Sequence, residues 1–326
     1  MLFRSPLLSV ETAADAMNRR SFVALAVASI VGASAVGACT AGTESSPSSQ
    51  SGGYRVVATT GVFADIAHMA LGDAASITSI VPAGVDVHTF EPSPSDVALL
   101  ESADLIVANG LGLDGWVEPL VEAAGKGAAD TLLLGDGLDQ ASGWTYLMGG
   151  GADAGIDPHI WLDPRGAALY VERIAERVSR EAPELAARIE TTSAESIAAI
   201  DALDRRLSDS FAALDPSQRT MVTMHDAFGY FARAYDIQIV GVAVESPGQD
   251  PSAQEIRALI DAIRAAGVTT LLGEAQLPSK VLEQIAAETG ATVVQGLHSD
   301  ALGAPPADSY LGMMQANADA ILGAMR

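Results

Sequence analysis

Two series of short apolar runs alternating with amphipathic stretches constrain the fold of this 326-residue chain more than any other feature. The first series occupies residues 54–124, and the second begins near residue 220 and continues through a terminal stretch that starts at residue 310. Such alternation is typical of βαβ units, in which helices cover a mainly parallel sheet. The length also suffices for two domains of ordinary size, each with its own core. The sequence therefore predicts two α/β lobes.

The two series predict individual strands and helices. In the first, we expect strands at 54–59, 76–81 and 105–108, and helices at 62–71, 95–102 and 116–124. In the second, we expect strands at 221–223, 237–242, 269–273 and 292–295, and helices at 227–235, 252–266, 279–289 and from 310 onward.

Between the two series, residues 166–215 are rich in Ala, Glu, Arg and Leu at helical spacing. Pro183 is expected to divide this region, because proline disrupts a helix interior but suits a first turn. The helix after it would have about 30 residues and a length of roughly 45 Å, too long for one lobe. We therefore predict a rigid helix that runs along both lobes, with an N-terminal lobe at 54–165 and a C-terminal lobe at 216–326.

The beginning of the sequence has the features of a bacterial export signal. Arg19 and Arg20 precede an uncharged run to residue 38, which ends in the small residues before Cys39. The Val-Gly-Ala-Cys ending resembles a lipobox, which implies that Cys39 is lipidated and becomes the mature N-terminus; the alternative is a transmembrane anchor with a chance cysteine. The arginine pair fits both twin-arginine and general secretory export.

Three segments follow from this interpretation. Residues 1–38 are the export signal, with 1–16 as an extension upstream of Met17, and residues 39–53 are the lipidated cysteine and a flexible Ser/Gly-rich tether. No later apolar run reaches the 20 or so residues that a membrane-spanning helix needs. We therefore expect a globular protein anchored by lipid to the outer face of the cytoplasmic membrane.

Charge and cysteine content exclude several classes of protein. The chain has 41 acidic and 18 basic residues, a net charge of −23, which nucleic acid would repel. It has only two lysines, so electrostatic adhesion to an anionic membrane is not expected. With Cys39 as its single cysteine, it has no internal disulfide, cysteine-based zinc finger or iron–sulfur cluster. An acidic protein that handles cations fits these limits.

Four residues are candidate metal ligands. His88, His225 and Asp300 each follow a predicted strand, and His159 lies in a proline-bounded connection. In open parallel sheets, ligands bind outside the carboxyl ends of the strands. Three imidazoles and one carboxylate suit a borderline divalent cation, above all zinc. Taken singly, a loop histidine is more often solvated or hydrogen-bonded than a ligand. His68 lies in the predicted helix 62–71, off its apolar face, and we expect it to be solvated.

Several segments resemble the solute-binding proteins of zinc and manganese ABC importers. They are DVHTFEPSPSD at 86–96, ADLIVANGLGLD at 103–114, DPHIWLDP at 157–164, HDAFGYF at 225–231 and SDALG at 299–303. The resemblance covers essentially all of residues 54–326. It implies two α/β lobes joined by one long helix, a metal between them held by His88, His159, His225 and Asp300, and an ABC permease as partner of a monomeric protein that is not an enzyme.

The resemblance also bears on the choice of metal. His225 stands where zinc-type members have histidine and manganese-type members have glutamate, so zinc is expected and manganese is the alternative. Many zinc members have a histidine-rich loop before the second ligand, but residues 135–156 are glycine-rich and contain no histidine. Glu274 resembles a residue bordering the family's site. His298, two residues before Asp300, could be a spare ligand, but we expect its placement to be chance.

The residues give little support to two other functions. A zinc hydrolase needs an open metal position and a general base, for which Asp226 is the only candidate, and the chain lacks His-Glu-x-x-His and Gly-x-Ser-x-Gly motifs. A surface adhesin has no support in the residues.

Because imidazoles bind metal only when neutral, we expect metal affinity to fall below about pH 6.5.

Overall fold

The computed structural model describes residues 53–150 and 155–326. The predicted export signal, Cys39 and nearly all of the tether lie outside the described residues. Within the described ranges, no helix has both the length and the apolar character needed to cross a membrane.

The N-terminal lobe is a four-stranded parallel sheet with the strand order β2-β1-β3-β4. The three predicted strands and three predicted helices are confirmed to within a few residues. A fourth strand and a fourth helix were not predicted, because each is short and lies among glycines. The elements are β1 (Tyr54–Ala58), α1 (Gly61–Leu71), β2 (Ala75–Ser79), α2 (Pro94–Glu101), β3 (Leu105–Ala108), α3 (Val117–Ala123), β4 (Thr131–Leu133) and α4 (Leu138–Ser142).

Two long helices follow this lobe. Helix α5 (Pro164–Glu181) begins at a proline in its first turn, and the Asp163 side chain caps it by accepting a hydrogen bond from the Arg165 backbone N–H. A 3₁₀ turn at Pro183–Leu185 separates it from α6 (Ala186–Ala212), which has 27 residues. The predicted break at Pro183 and the long helix after it are confirmed, and α6 is about 40 Å long at 1.5 Å per residue.

The C-terminal lobe repeats the parallel architecture with the strand order β6-β5-β7-β8. All its predicted strands and helices are present with small shifts at their ends. The elements are β5 (Thr220–His225), α7 (Gly229–Ala234), β6 (Gln238–Val244), α8 (Ala253–Ala266), β7 (Thr270–Glu274), α9 (Lys280–Thr289), β8 (Thr292–Leu297) and α10 (Tyr310–Ala324).

The two lobes share their largest apolar core. Helix α6 packs against α5, against α1 of the N-terminal lobe and against α10 of the C-terminal lobe. One continuous cluster contains Phe63 of α1, Phe211 of α6 and Tyr310 of α10. Each lobe has a smaller cluster of its own, around Ile106 in the first and Leu271 in the second. The expectation of two separate cores is therefore only partly right, because the inner faces of both lobes meet along α6.

Candidate metal centre

The structure brings the four predicted ligand residues together between the two sheets. His225 is the last residue of β5, Asp300 lies three positions after β8, and His88 lies in the irregular segment between β2 and α2. His159 immediately precedes a 3₁₀ turn at Ile160–Leu162. One donor atom from each of the four residues lies within 4.8 Å of the other three. Carboxyl strand ends thus meet here from both lobes, as the sequence predicted.

The distances between these donors match a small coordination sphere. The Asp300 carboxylate lies 3.5 Å from Nε2 of His159, 3.5 Å from Nε2 of His225 and 3.8 Å from Nε2 of His88. The three imidazole centroids are 5.3 to 5.6 Å apart. Ligands about 2 Å from a tetrahedral metal lie roughly 3.3 Å from one another. The four residues therefore need to move only slightly to hold one ion.

One donor atom of each of these four residues has no hydrogen-bond partner in the part of the chain that the structure describes. Nε2 of His88, His159 and His225 and Oδ1 of Asp300 are buried and have no hydrogen-bond partner among the described residues. The side chains of His159, His225 and Asp300 are at most 3% exposed, and that of His88 is 14% exposed. Burying one unpaired polar group costs on the order of 1–3 kcal/mol, so four that converge on one point form a set of donors that one cation could satisfy.

The carboxylate of Asp157, in the N-terminal lobe, orients His159. Oδ1 of Asp157 lies 2.8 Å from Nδ1 of His159 and also accepts the backbone N–H of His159 at 3.0 Å. The Tyr230 hydroxyl, from α7 of the other lobe, donates to the Asp157 carbonyl at 2.9 Å. With Nδ1–H directed at a carboxylate, the lone pair of His159 is on Nε2, which faces the other ligands.

The carboxylate of Glu274, in the C-terminal lobe, orients His225 in the same way. Oε1 of Glu274 lies 2.6 Å from Nδ1 of His225 and accepts its backbone N–H at 3.3 Å. The Ser299 hydroxyl lies against the second oxygen of Glu274 and 2.8 Å from Oδ2 of Asp300. Having one proton, Ser299 donates to only one of these carboxylates at a time. The expectation that Glu274 borders the site is thus met by a direct contact with His225.

The electrostatics of the two clamped histidines differ. Burial lowers the pKa of His159 to about 3, so this imidazole is neutral at physiological pH. Burial also acts to lower the pKa of His225, but the charge and hydrogen bond of Glu274, with the charge of Asp300, outweigh it and raise that pKa to about 9. His225 therefore carries a proton that a metal must displace.

The remaining sequence candidates lie elsewhere. His68 is exposed on α1, as predicted. His298 is half-buried, exchanges backbone hydrogen bonds with the Asn317 side chain and is not part of the four-residue group. Asp157 was missed, although an acidic residue two positions before a candidate histidine is a signal that could have indicated it.

A cleft of about 430 Å³ leads to the imidazoles. His88, His159 and His225 lie along it, together with backbone of the glycine-rich stretch at 149–150 and 155–156. Asp226 and Glu245 also line it.

Comparison with known proteins identifies the group to which this chain is related. Residues 56–324 match the family described as ZnuA, the periplasmic component A of a zinc-uptake complex. The chain belongs to this family. Its members are substrate-binding proteins of metal ABC importers rather than enzymes, so the hydrolase alternative falls away.

Individual relatives differ in the metal for which they are named. The manganese ABC transporter substrate-binding lipoprotein PsaA of Streptococcus mitis is 29% identical over 291 residues, which cover 87% of this chain and 92% of PsaA. The iron-named lipoprotein MtsA of Streptococcus pyogenes serotype M1 is 28% identical over 274 residues, covering 82% and 87%. The periplasmic zinc-binding protein TroA of Treponema pallidum superposes with a TM-score of 0.76 at 25% identity, covering 84% and 99%.

Proposed function

We propose that this protein captures one Zn²⁺ ion outside the cytoplasm and delivers it to the permease of an ABC importer. The ion would be held by Nε2 of His88, His159 and His225 and by the Asp300 carboxylate. The observation that carries the proposal is the convergence of four buried, unpartnered donors within 4.8 Å of one another. The ion is cargo, and the shell must both bind it and release it.

The donor set favours zinc over manganese. Three imidazole nitrogens and one carboxylate suit a borderline-soft ion in tetrahedral geometry, whereas manganese is harder and prefers more oxygen donors. The second candidate is manganese, because PsaA is named for it. His225 distinguishes the two, since replacing it by glutamate would give two nitrogens and two carboxylates.

We also propose that Cys39 carries a lipid and that residues 39–53 tether a monomeric body to the outer face of the cytoplasmic membrane. In that body, residues 54–165 and 216–326 form the lobes, and residues 166–215 link them. The support is the Val-Gly-Ala-Cys sequence and the lipoprotein names of PsaA and MtsA. Cys39→Ala should release the protein or leave its precursor uncleaved. A mutant that stays on the membrane at mature size would contradict the anchor.

The metal assignment is tested by calorimetric titration with Zn²⁺ and Mn²⁺, after measuring the metal content of protein purified without added metal. Wild type should bind one Zn²⁺ tightly and Mn²⁺ weakly, and His225→Ala should weaken Zn²⁺ without loss of the circular dichroism signal. His225→Glu should reduce the ratio of Zn²⁺ affinity to Mn²⁺ affinity. His68→Ala, at an exposed position on α1, is the matched control and should bind like wild type. Equal affinity of wild type for both metals, or Zn²⁺ binding by His225→Ala like that of wild type, would refute the assignment.

A further inference from the structure

The Asp300 carboxylate, the single oxygen ligand of the proposed shell, accepts a hydrogen bond from its neighbour in sequence. Oγ of Ser299 lies 2.8 Å from Oδ2 of Asp300. No other group in residues 53–150 and 155–326 donates a hydrogen bond to this carboxylate, and its Oδ1 is unpartnered. Ser299 and Asp300 are both buried, so solvent is a poor substitute donor. The hydroxyl of Ser299 therefore acts on Asp300 from outside the four-residue shell.

Glu274 competes for the single proton of the Ser299 hydroxyl, but Glu274 has other donors. It accepts the Nδ1–H of His225 at 2.6 Å, the backbone N–H of His225 at 3.3 Å and the side-chain amide of Gln276 at 3.3 Å. The same amide donates to Oγ of Ser299 at 3.0 Å, which leaves the hydroxyl proton for a carboxylate. Because Asp300 has no alternative donor in the described ranges, this proton affects Asp300 more than it affects Glu274.

A contact on the backbone of Ser299 holds its hydroxyl in place. The Ser299 carbonyl accepts the indole N–H of Trp161 at 2.8 Å. Trp161 is fully buried and follows His159 by two residues, so the turn that carries one histidine also restrains the segment that carries Asp300. The fold therefore places the hydroxyl within reach of Asp300 independently of any ion.

This hydrogen bond should affect two metal ions unequally. A hydrogen bond to one oxygen stabilises the negative charge of a carboxylate, which makes the carboxylate a weaker electron-pair donor to a metal. Manganese is hard and prefers oxygen donors, whereas imidazole nitrogens bind zinc well. In a shell of three nitrogens and one weakened carboxylate, manganese should therefore lose more affinity than zinc.

We propose that Ser299 is a specificity-determining residue, whose hydroxyl weakens Asp300 as an oxygen donor and so disfavours manganese relative to zinc. The inference rests on the proposed function, because it assumes that Asp300 and the three imidazoles bind the metal. Ser299 acts through Asp300, which makes it a positioning residue rather than a ligand. Its effect would add to that of His225, which determines the donor set itself.

The test is calorimetric titration of Ser299→Ala with Zn²⁺ and with Mn²⁺, using a competing chelator where binding is too tight. Alanine removes the hydroxyl without adding bulk, and we expect the ratio of Zn²⁺ affinity to Mn²⁺ affinity to fall about tenfold. A merely structural role would lower both affinities by the same factor and leave this ratio unchanged. Ser299→Thr keeps a hydroxyl and should have a ratio close to that of wild type.

The matched control is Ser193→Ala, which removes a buried hydroxyl that donates within α6 to the Glu190 carbonyl at 3.3 Å. It should have the wild-type ratio. An unchanged ratio in Ser299→Ala, an equal fall in Ser193→Ala, or a Ser299→Thr that is folded by circular dichroism but has the ratio of Ser299→Ala would each overturn the role of Ser299. Failure of the proposed function is distinguishable, because wild type itself would then bind neither metal or would bind both equally.

Discussion

Metal binding at neutral pH should release about one proton, and Glu274 is the cause. The pKa of His225 is about 9, so nearly all metal-free molecules carry this proton at pH 7. Its Nε2 lies 3.5 Å from the Asp300 carboxylate, where we propose that the metal binds. The pKa of His225 lies about two units above the working pH. Competition from this proton therefore weakens the apparent metal affinity about 100-fold relative to the fully deprotonated site.

The direction of the pH dependence of metal affinity follows from the raised pKa of His225. Below about pH 9 the proton is bound in the metal-free protein and lost on binding, so affinity should rise about tenfold per pH unit between pH 7 and 9 and then level off. His159, with a pKa of about 3, adds no proton in this range. The expectation from the sequence, a fall only below about pH 6.5, is therefore moved toward alkaline pH by the Glu274 contact.

The assay is calorimetry at pH 7 in buffers that differ in ionisation enthalpy, with a competing chelator if binding is too tight. Glu274→Gln keeps an oxygen for the Nδ1–H of His225 but removes the charge that raises its pKa, so fewer protons should be released than in wild type. Glu288→Gln, exposed on α9, is the control. Wild type that releases no proton, or Glu274→Gln that releases as many as wild type, would refute the reasoning.

Three further outcomes are expected. Asp157→Ala leaves both N–H groups of His159 without their acceptor and should weaken zinc binding about 10–100-fold. Asp157→Asn should weaken zinc binding less. Equal zinc affinities of wild type and Asp157→Ala in a competition titration would contradict this. Trp161→Phe removes the indole hydrogen bond of 2.8 Å to the buried Ser299 carbonyl and should lower the free energy of unfolding by about 1–3 kcal/mol in urea titrations; an unchanged midpoint argues against a structural role. Phe211→Ala leaves a cavity in the shared core beside α6 and should lower the free energy of unfolding by about 3–5 kcal/mol. A decrease of less than about 1 kcal/mol would show that the core repacks.

The sequence was sufficient to predict the two parallel sheets and the long helix between them, because periodicity reports directly which faces are buried. It also predicted the convergence of His88, His225 and Asp300, since carboxyl strand ends of a parallel sheet share an edge. It could not give the pKa of His225, and the spacing of Asp157 and His159 could indicate a partner without showing the contact between them. Those depend on side-chain contacts within turns and across strands, which leave no periodic signal.

Short elements were the other limit. Strand β4 has three residues and α4 has five, and both are flanked by glycines that also fit a loop. Tertiary packing, rather than local propensity, determines whether such stretches become regular structure.

The position of α10 has a consequence for how the chain reaches its native state. The shared core contains β1 and α1 from the start of the body and also Tyr310, Met313 and Ile321 from α10. In a chain that emerges amino end first, the N-terminal sheet and α1 can form early, but the contacts of α10 with α1 and α6 form only when the final helix arrives. We therefore expect the two lobes to unfold in one cooperative transition, although they are two in architecture.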